Sequence, residues 1–150
     1  MTIIEEQRDL FTVPMDYILV HCISADFAMG AGIAKEFAKR GVKAQLQRDY
    51  QDIEDIEVGD CLVSDATDWR CEFSLVTKEK YWQKPTYETM RMALEDAKDL
   101  CEETISYGYT MKLAMPRIGC GLDKLEWSKV KAIIEEVFAD VDVEILVCVK

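Results

Sequence analysis

Apolar residues along this chain keep two rhythms. A short continuous run occurs at residues 17–22 (Tyr-Ile-Leu-Val-His-Cys), and short, mainly apolar runs at 61–64, 73–77, 111–114 and 143–149, each bounded by polar or turn-forming residues. Runs of this length predict buried strands. Elsewhere apolar side chains stand three and four apart. Met90, Ala93, Leu94, Ala97, Leu100 and Cys101 form one such stripe, and Trp127, Val130, Ile133, Ile134 and Val137 another. These predict amphipathic helices packed on the core. The first is capped by Thr86, with Glu88 in its opening turn, and the second covers about 125–138. A shorter helix is expected over 33–39, ended by Gly41, with a second helical piece over 42–51. Residues 2–6 read as a short edge strand, and Pro14 breaks the structure between that strand and the run at 17–22. The runs at 61–64 and 73–77, joined by a polar turn at 65–70, read as a β-hairpin. Residues 52–57 are acidic and expected to be solvated. Strands alternate with helices apart from that hairpin. The fold class is therefore α/β: a mixed, mostly parallel sheet with helices on both faces. In such sheets ligands bind beyond the carboxyl ends of the strands.

The 150 residues fit one domain, 1–150, with a core of useful size. Without a run of about 18 apolar residues, no membrane span is expected. Residues 1–7 do not read as a signal peptide, so a cytoplasmic protein is expected, or a nuclear one in a eukaryote. The six cysteines show no C-x-x-C spacing and read as free thiols, and one histidine is too few for a zinc site. No metal and no cofactor are expected. The net charge of −11 changes the picture more. It opposes tight binding to duplex nucleic acid, which needs basic contacts. A bound phosphate would have to be held locally, by backbone amides and helix N-termini.

Two stretches are built for that. Residues 23–34 carry Gly30 and Gly32 between a strand and a helix. Residues 115–123 (Met-Pro-Arg-Ile-Gly-Cys-Gly-Leu-Asp) do the same with Gly119 and Gly121. Both are strand–loop–helix units whose amides can converge on an anion. Neither is a G-x-G-x-x-G dinucleotide loop or a G-x-x-x-x-G-K-[ST] loop. Two such loops at one sheet edge suggest a ligand with two phosphates.

On these segments the chain resembles the macrodomain superfamily, the ADP-ribose-binding three-layer α/β/α fold. Within it, the chain is similar to the terminal ADP-ribose glycohydrolase branch. The likeness is carried by Asp9-Leu-Phe, His21-Cys-Ile-Ser, Met29-Gly-Ala-Gly-Ile-Ala, Thr77-Lys, Lys84-Pro-Thr-Tyr-Glu and the run from Met115 to Asp123. It departs at Arg8, where a glycine usually precedes Asp-Leu, and over 44–70, from which nothing is carried over.

The resemblance implies a substrate, ADP-ribose or an ADP-ribosylated group, and its binding residues. Asp9 would accept from the adenine amino group, with Leu10 offering its backbone. Ser24, Met29, Gly30, Ala31, Gly32 and Ile33 would line the distal ribose and diphosphate. Pro116, Ile118, Gly119, Cys120, Gly121 and Leu122 would close the other side. It also implies catalysis by Lys78 as nucleophile and Asp123 as acid–base partner. Read without the family, Lys78 is one lysine of a solvated run and Asp123 an N-cap. Lys80 and Lys84 are competing candidates; Lys78 is preferred because it directly follows a strand. Cys120 reads as a small loop residue and His21 as a satisfied core group. Tyr81 and Trp82 either stack on a ligand or pack on their own loop. The expected activity is removal of ADP-ribose from carboxylate esters on protein and from O-acetyl-ADP-ribose. The rivals are a non-catalytic ADP-ribose reader, a phosphatase for ADP-ribose 1''-phosphate, and an enzyme that removes ADP-ribose from nucleic-acid bases.

Overall fold

The computed structural model describes residues 1–51 and 53–150. In chain order the elements are β1 (Thr2–Gln7), β2 (Ile18–Ser24), α1 (Gly32–Lys39), α2 (Val42–Asp49), β3 (Cys61–Ser64), β4 (Glu72–Lys78), α3 (Tyr87–Ser106), β5 (Met111–Met115), α4 (Trp127–Val137) and β6 (Val143–Val149). The expected acidic stretch at 52–57 begins on a residue outside the described ones; Glu54, Asp55 and Glu57 are exposed.

The strands form one sheet in the order β1-β6-β5-β2-β4-β3. Every neighbouring pair is parallel except β3 with β4, the hairpin read from the sequence. Successive side chains on a strand point to opposite faces, and both faces are apolar. On β6, Val143, Ile145 and Val147 join the core under α3 and α4, while Leu146 and Cys148 join the core under α1 and α2. On β2, Val20 and Leu19 divide the same way. Hence the central strands read as continuous apolar runs, and the architecture is the three-layer α/β/α sandwich.

Helix ends obey local chemistry. Thr86 caps α3 by accepting from the Thr89 amide, and Thr89 returns the bond to the Thr86 amide. α4 begins later than its periodicity suggested, because Glu126, not Asp123, is its N-cap. The eight residues of α1 are too few to stand alone. The helix is held by Phe37, which is fully buried, stacks on the His21 ring with centroids 3.9 Å apart, and meets Phe11 at 5.0 Å. Burial pushes the His21 pKa down to about 3, so the ring is neutral. Its Nε2 shares a 2.8 Å hydrogen bond with Ser74 Oγ. His21 is thus a core group, as expected, but only half satisfied, since its buried Nδ1 has no hydrogen-bond partner among the described residues. Its packing fixes where the N-terminus of α1 lies.

Candidate functional site

The topology puts the carboxyl ends of β5, β2 and β4 side by side. The three loops that leave them, 116–126, 25–31 and 79–86, surround a cavity of about 780 Å³. That is within the range of a small-molecule site. A second cavity of about 580 Å³ lies beside it, toward the ends of β1 and β6, and shares Ile33, Pro116, Arg117 and Gly121 with it.

The loop after β2 is held in an uncommon conformation. A register shift between Ile23 and Ser24 bends the strand end, and the Ala25 amide donates to Lys78 O at 2.9 Å. Phe27 and Met29 then take left-handed φ values of 56° and 46°. That conformation costs an L-residue about 1–2 kcal/mol. Burial of both side chains in the α1/α2 core offsets the cost. Asp26 secures the turn: one oxygen accepts from Ser24 Oγ at 2.5 Å and the Ala28 amide at 3.0 Å. The other accepts from the Tyr81 amide at 3.0 Å, across the cavity mouth. Burial pushes its pKa up, but these hydrogen bonds and the Lys80 charge outweigh it and hold the carboxyl below its ordinary range. Lys43 fixes the loop from behind through Ala28 O at 3.2 Å. Gly32 is left-handed at φ +60°, and the N-cap of α1, Ala31, supplies no side-chain cap. The first amides of α1 therefore open onto the cavity, where an anion can accept from them.

Across the cavity, Gly119 has φ +72°, and a Cβ there would lie 2.7 Å from Met90 Cε and 3.0 Å from Leu125 Cδ1. Glycine lets this loop fold down onto α3 without strain or displacement of these side chains. The turn carries Asp123 inward, to 2.7 Å from Lys78 Nζ. Both side chains are only about one-sixth exposed, at 15% and 16%. They come from the last residue of β4 and the loop after β5, on opposite sides of β2. Lys84 donates to Leu122 O at 2.7 Å, which ties the 79–86 loop to the residue before Asp123. The side chain of Lys80 is exposed. Among the described residues, Lys78 is the one of Lys78, Lys80 and Lys84 that lies within ion-pair distance of a carboxylate.

Leu10, Met29 and Ile118 have side chains buried in the two cores, so they present backbone to the cavities. Ser24 spends its hydroxyl on Asp26. Ser24, Met29, Gly30, Ala31, Gly32, Ile33, Pro116, Ile118, Gly119, Gly121 and Leu122 all line the larger cavity with Lys78 and Asp123. Asp9, Leu10 and Cys120 line the smaller one. Asp9 caps a 3₁₀ turn (Leu10–Thr12) by accepting from the Phe11 amide at 2.9 Å, and its other oxygen is 3.1 Å from Lys150 Nζ. The amide bond and Lys150 hold its pKa below the ordinary value. The Cys120 thiol donates to Ile118 O at 3.2 Å, and burial pushes its pKa up, which suits a loop residue better than a nucleophile. Among the described residues no three His, Cys, Asp or Glu side chains cluster in a way that could hold a metal ion.

Sequence reasoning missed Asp26. The signal was present, since Ser-x-Asp before a glycine loop is a turn-forming pattern, but its bond to Tyr81 is long-range. It also missed the local charge. Lys78, Lys84 and Arg117 line the larger cavity against one carboxylate, Asp123, although the chain as a whole is strongly acidic. Arg8, Arg40, Arg117 and Lys150 face the smaller cavity with Asp9 and Glu36. Most of these cations are already ion-paired, Lys78 with Asp123, Arg117 with Glu5, Arg8 with Glu6, Arg40 with Glu36 and Lys150 with Asp9, so the inward-pointing amides carry the preference for an anion.

Comparison with known proteins adds three findings. The model of the Macro domain family matches residues 20–134. The chain is 45% identical over 141 residues to ADP-ribose glycohydrolase OARD1 of Bos taurus and 43% identical to that of Homo sapiens. Each match spans 93% of this chain and 86% of the relative. In three dimensions it is similar to the macrodomain of Thermus aquaticus DarG, with a TM-score of 0.81 at 24% identity over 98% of this chain and 97% of the other.

Proposed function

The chain belongs to the Macro domain family, and from that premise we propose that residues 1–150 form one domain that hydrolyses ADP-ribosyl esters, releasing ADP-ribose from modified acidic side chains. The observation that carries this reading is the Lys78–Asp123 pair, 2.7 Å apart and mostly shielded from water, at the junction of two glycine loops. The mammalian relatives named as ADP-ribose glycohydrolases support it. A protein that only bound ADP-ribose would need the glycine loops but no matched amine and carboxylate.

In this reading the diphosphate lies between the α1 amides and the 118–122 loop, with the adenine toward Asp9 and Leu10. The distal ribose then meets Lys78. A lysine must be neutral to attack, and Asp123 takes its proton along the hydrogen bond already present. The amine forms a bond to the anomeric carbon as the ester carboxylate leaves with the bonding electrons. Opening of the sugar ring gives an imine between ribose and Lys78. Water adds to that carbon, and Asp123 returns the proton as the C–N bond breaks. O-acetyl-ADP-ribose presents the same carbon with acetate as leaving group and is a substrate by the same steps.

The test is chemical trapping. A reducing agent added during turnover of a glutamate-linked ADP-ribosyl protein should fix ADP-ribose to the enzyme, and peptide mapping should place it on Lys78. Lys78→Ala should release no ADP-ribose yet bind it within about threefold, because backbone amides hold the diphosphate. Wild-type turnover in the Lys78→Ala variant would refute the covalent route and leave Asp123 with an activated water.

A further inference from the structure

The rim of the larger cavity carries exposed apolar side chains at the mouth of the site itself. Tyr81, Trp82 and Leu122 are 66%, 67% and 62% exposed. Tyr81 and Leu122 line the mouth, and Trp82 comes directly after Tyr81 in the same turn. That turn is fixed in place: the Gln83 amide donates to Lys80 O at 3.0 Å, Gln83 Oε1 accepts from the Lys80 amide at 2.9 Å, and the Tyr81 amide is held by Asp26. The rings are therefore presented, at little ordering cost, to whatever lies outside the cavity. Lys80 and Lys84 flank them, and Lys124 stands next to Asp123 on the opposite lip. Acidic residues outnumber basic ones 29 to 18 in this chain. Even so, none of these three lysines has a carboxylate within ion-pair distance among the described residues. Glu79 is the exposed carboxylate of the same turn, and Glu126 of the other lip lies 3.5 Å from Lys129.

We infer that this rim binds the polypeptide that carries the modification, as an acidic segment laid across Trp82 with its carboxylates toward Lys80 and Lys124. The inference rests on the hydrolase reading for what fills the cavity: an ester-linked ribose entering the mouth brings its protein chain onto this rim. The leaving group is itself an Asp or Glu, and lysines with no carboxylate in ion-pair distance favour further carboxylates near it. Aromatic rings among lysines would also suit single-stranded nucleic acid. Three cations on a chain of net charge −11 are too few to offset repulsion of a polyanion, so the peptide is the better fit.

The test compares the intact rim with Lys80→Gln/Trp82→Ala/Lys124→Gln, both in a Lys78→Ala background so that the ester survives. Affinities are measured for an acidic peptide carrying ester-linked ADP-ribose, for free ADP-ribose, and for a single-stranded oligonucleotide carrying ADP-ribose. The intact rim should favour the peptide over free ADP-ribose by about tenfold, less at high salt. The triple variant should lose that preference while free ADP-ribose binds within about twofold of before. A preference that survives the triple variant overturns the proposal, as does its absence from the intact rim. A larger loss for the oligonucleotide overturns it in favour of nucleic acid. Turnover by the enzyme with Lys78 is scored separately. Peptide preference without ADP-ribose release would sink the hydrolase reading and leave the rim standing.

Discussion

Asp26→Asn should weaken both the fold and the site, because one carboxylate ties the loop after β2 to the loop after β4, beside the backbone bond from the Asp26 amide to Glu79 O at 3.2 Å. Its oxygens accept from Ser24 Oγ and the Ala28 amide on one side and from the Tyr81 amide on the other. Asparagine replaces one oxygen with an NH₂ donor. The less costly orientation keeps the oxygen toward Ser24 and Ala28 and turns NH₂ toward the Tyr81 N–H, which cannot accept. One charge-assisted bond is lost and two become neutral. At about 1.5–3 kcal/mol for such a bond, and with the site partly solvated, the cost is about 2 kcal/mol. For a chain of this size that lowers Tm by about 4–8 °C. Freed from Tyr81, the 79–86 loop no longer holds its register against the glycine loop. ADP-ribosyl ester turnover should fall about tenfold or more, since small misplacements of reacting groups are costly.

The sign of the pKa shift sets the pH dependence. The folded-state pKa of Asp26 is lowered, so its contribution is full above the ordinary carboxylate pKa and is lost as pH falls through the lowered value. The stability gap between wild type and Asp26→Asn should therefore close below about pH 4. Thermal unfolding at several pH values, with turnover assayed on the same preparations, checks all of this. An Asn variant that melts and turns over like wild type would refute the bridging role. One that melts early but keeps full turnover would show that the bridge serves stability alone.

Other perturbations have equally definite outcomes. Gly119→Ala places a methyl 2.7 Å from Met90 Cε at a left-handed φ, so it should cost about 2 kcal/mol or more in a denaturant titration and weaken ADP-ribose binding. His21 stays neutral in the fold with a pKa of about 3, while the unfolded chain takes up a proton near pH 6.5. Stability is therefore full above that pH and is lost as pH falls toward the folded value. Between about pH 7 and about pH 5 this one group should cost about 2 kcal/mol, a slope that His21→Gln removes. Free ADP-ribose affinity, measured by calorimetry, should fall only modestly from low to physiological salt, because amides rather than unpaired cations face the diphosphate; a steep dependence would contradict this.

The sequence by itself determined the elements and their faces. Alternation on β6 and the three-and-four spacing on α3 and α4 are local consequences of burying one apolar stripe, so they can be read without coordinates. The order of strands and glycine loops along the chain was equally legible, whereas Lys78 and Asp123 stood out only through the family resemblance, since by themselves they read as a solvated lysine and an N-cap. Only the tertiary structure decided that these two meet. They are 45 residues apart, and their contact exists because β4 and β5 both lie beside β2 with their carboxyl ends together. The same holds for Asp26 with Tyr81, 55 residues on, and for Lys84 with Leu122, 38 residues on. Such bonds depend on crossover connections that bring distant loops to one edge. A hydrogen bond's partner is set by where the chain returns, which no local pattern records. The placement of lysines and arginines around the cavities has the same origin: composition gives the sum of −11, and only folding decides which cations line them.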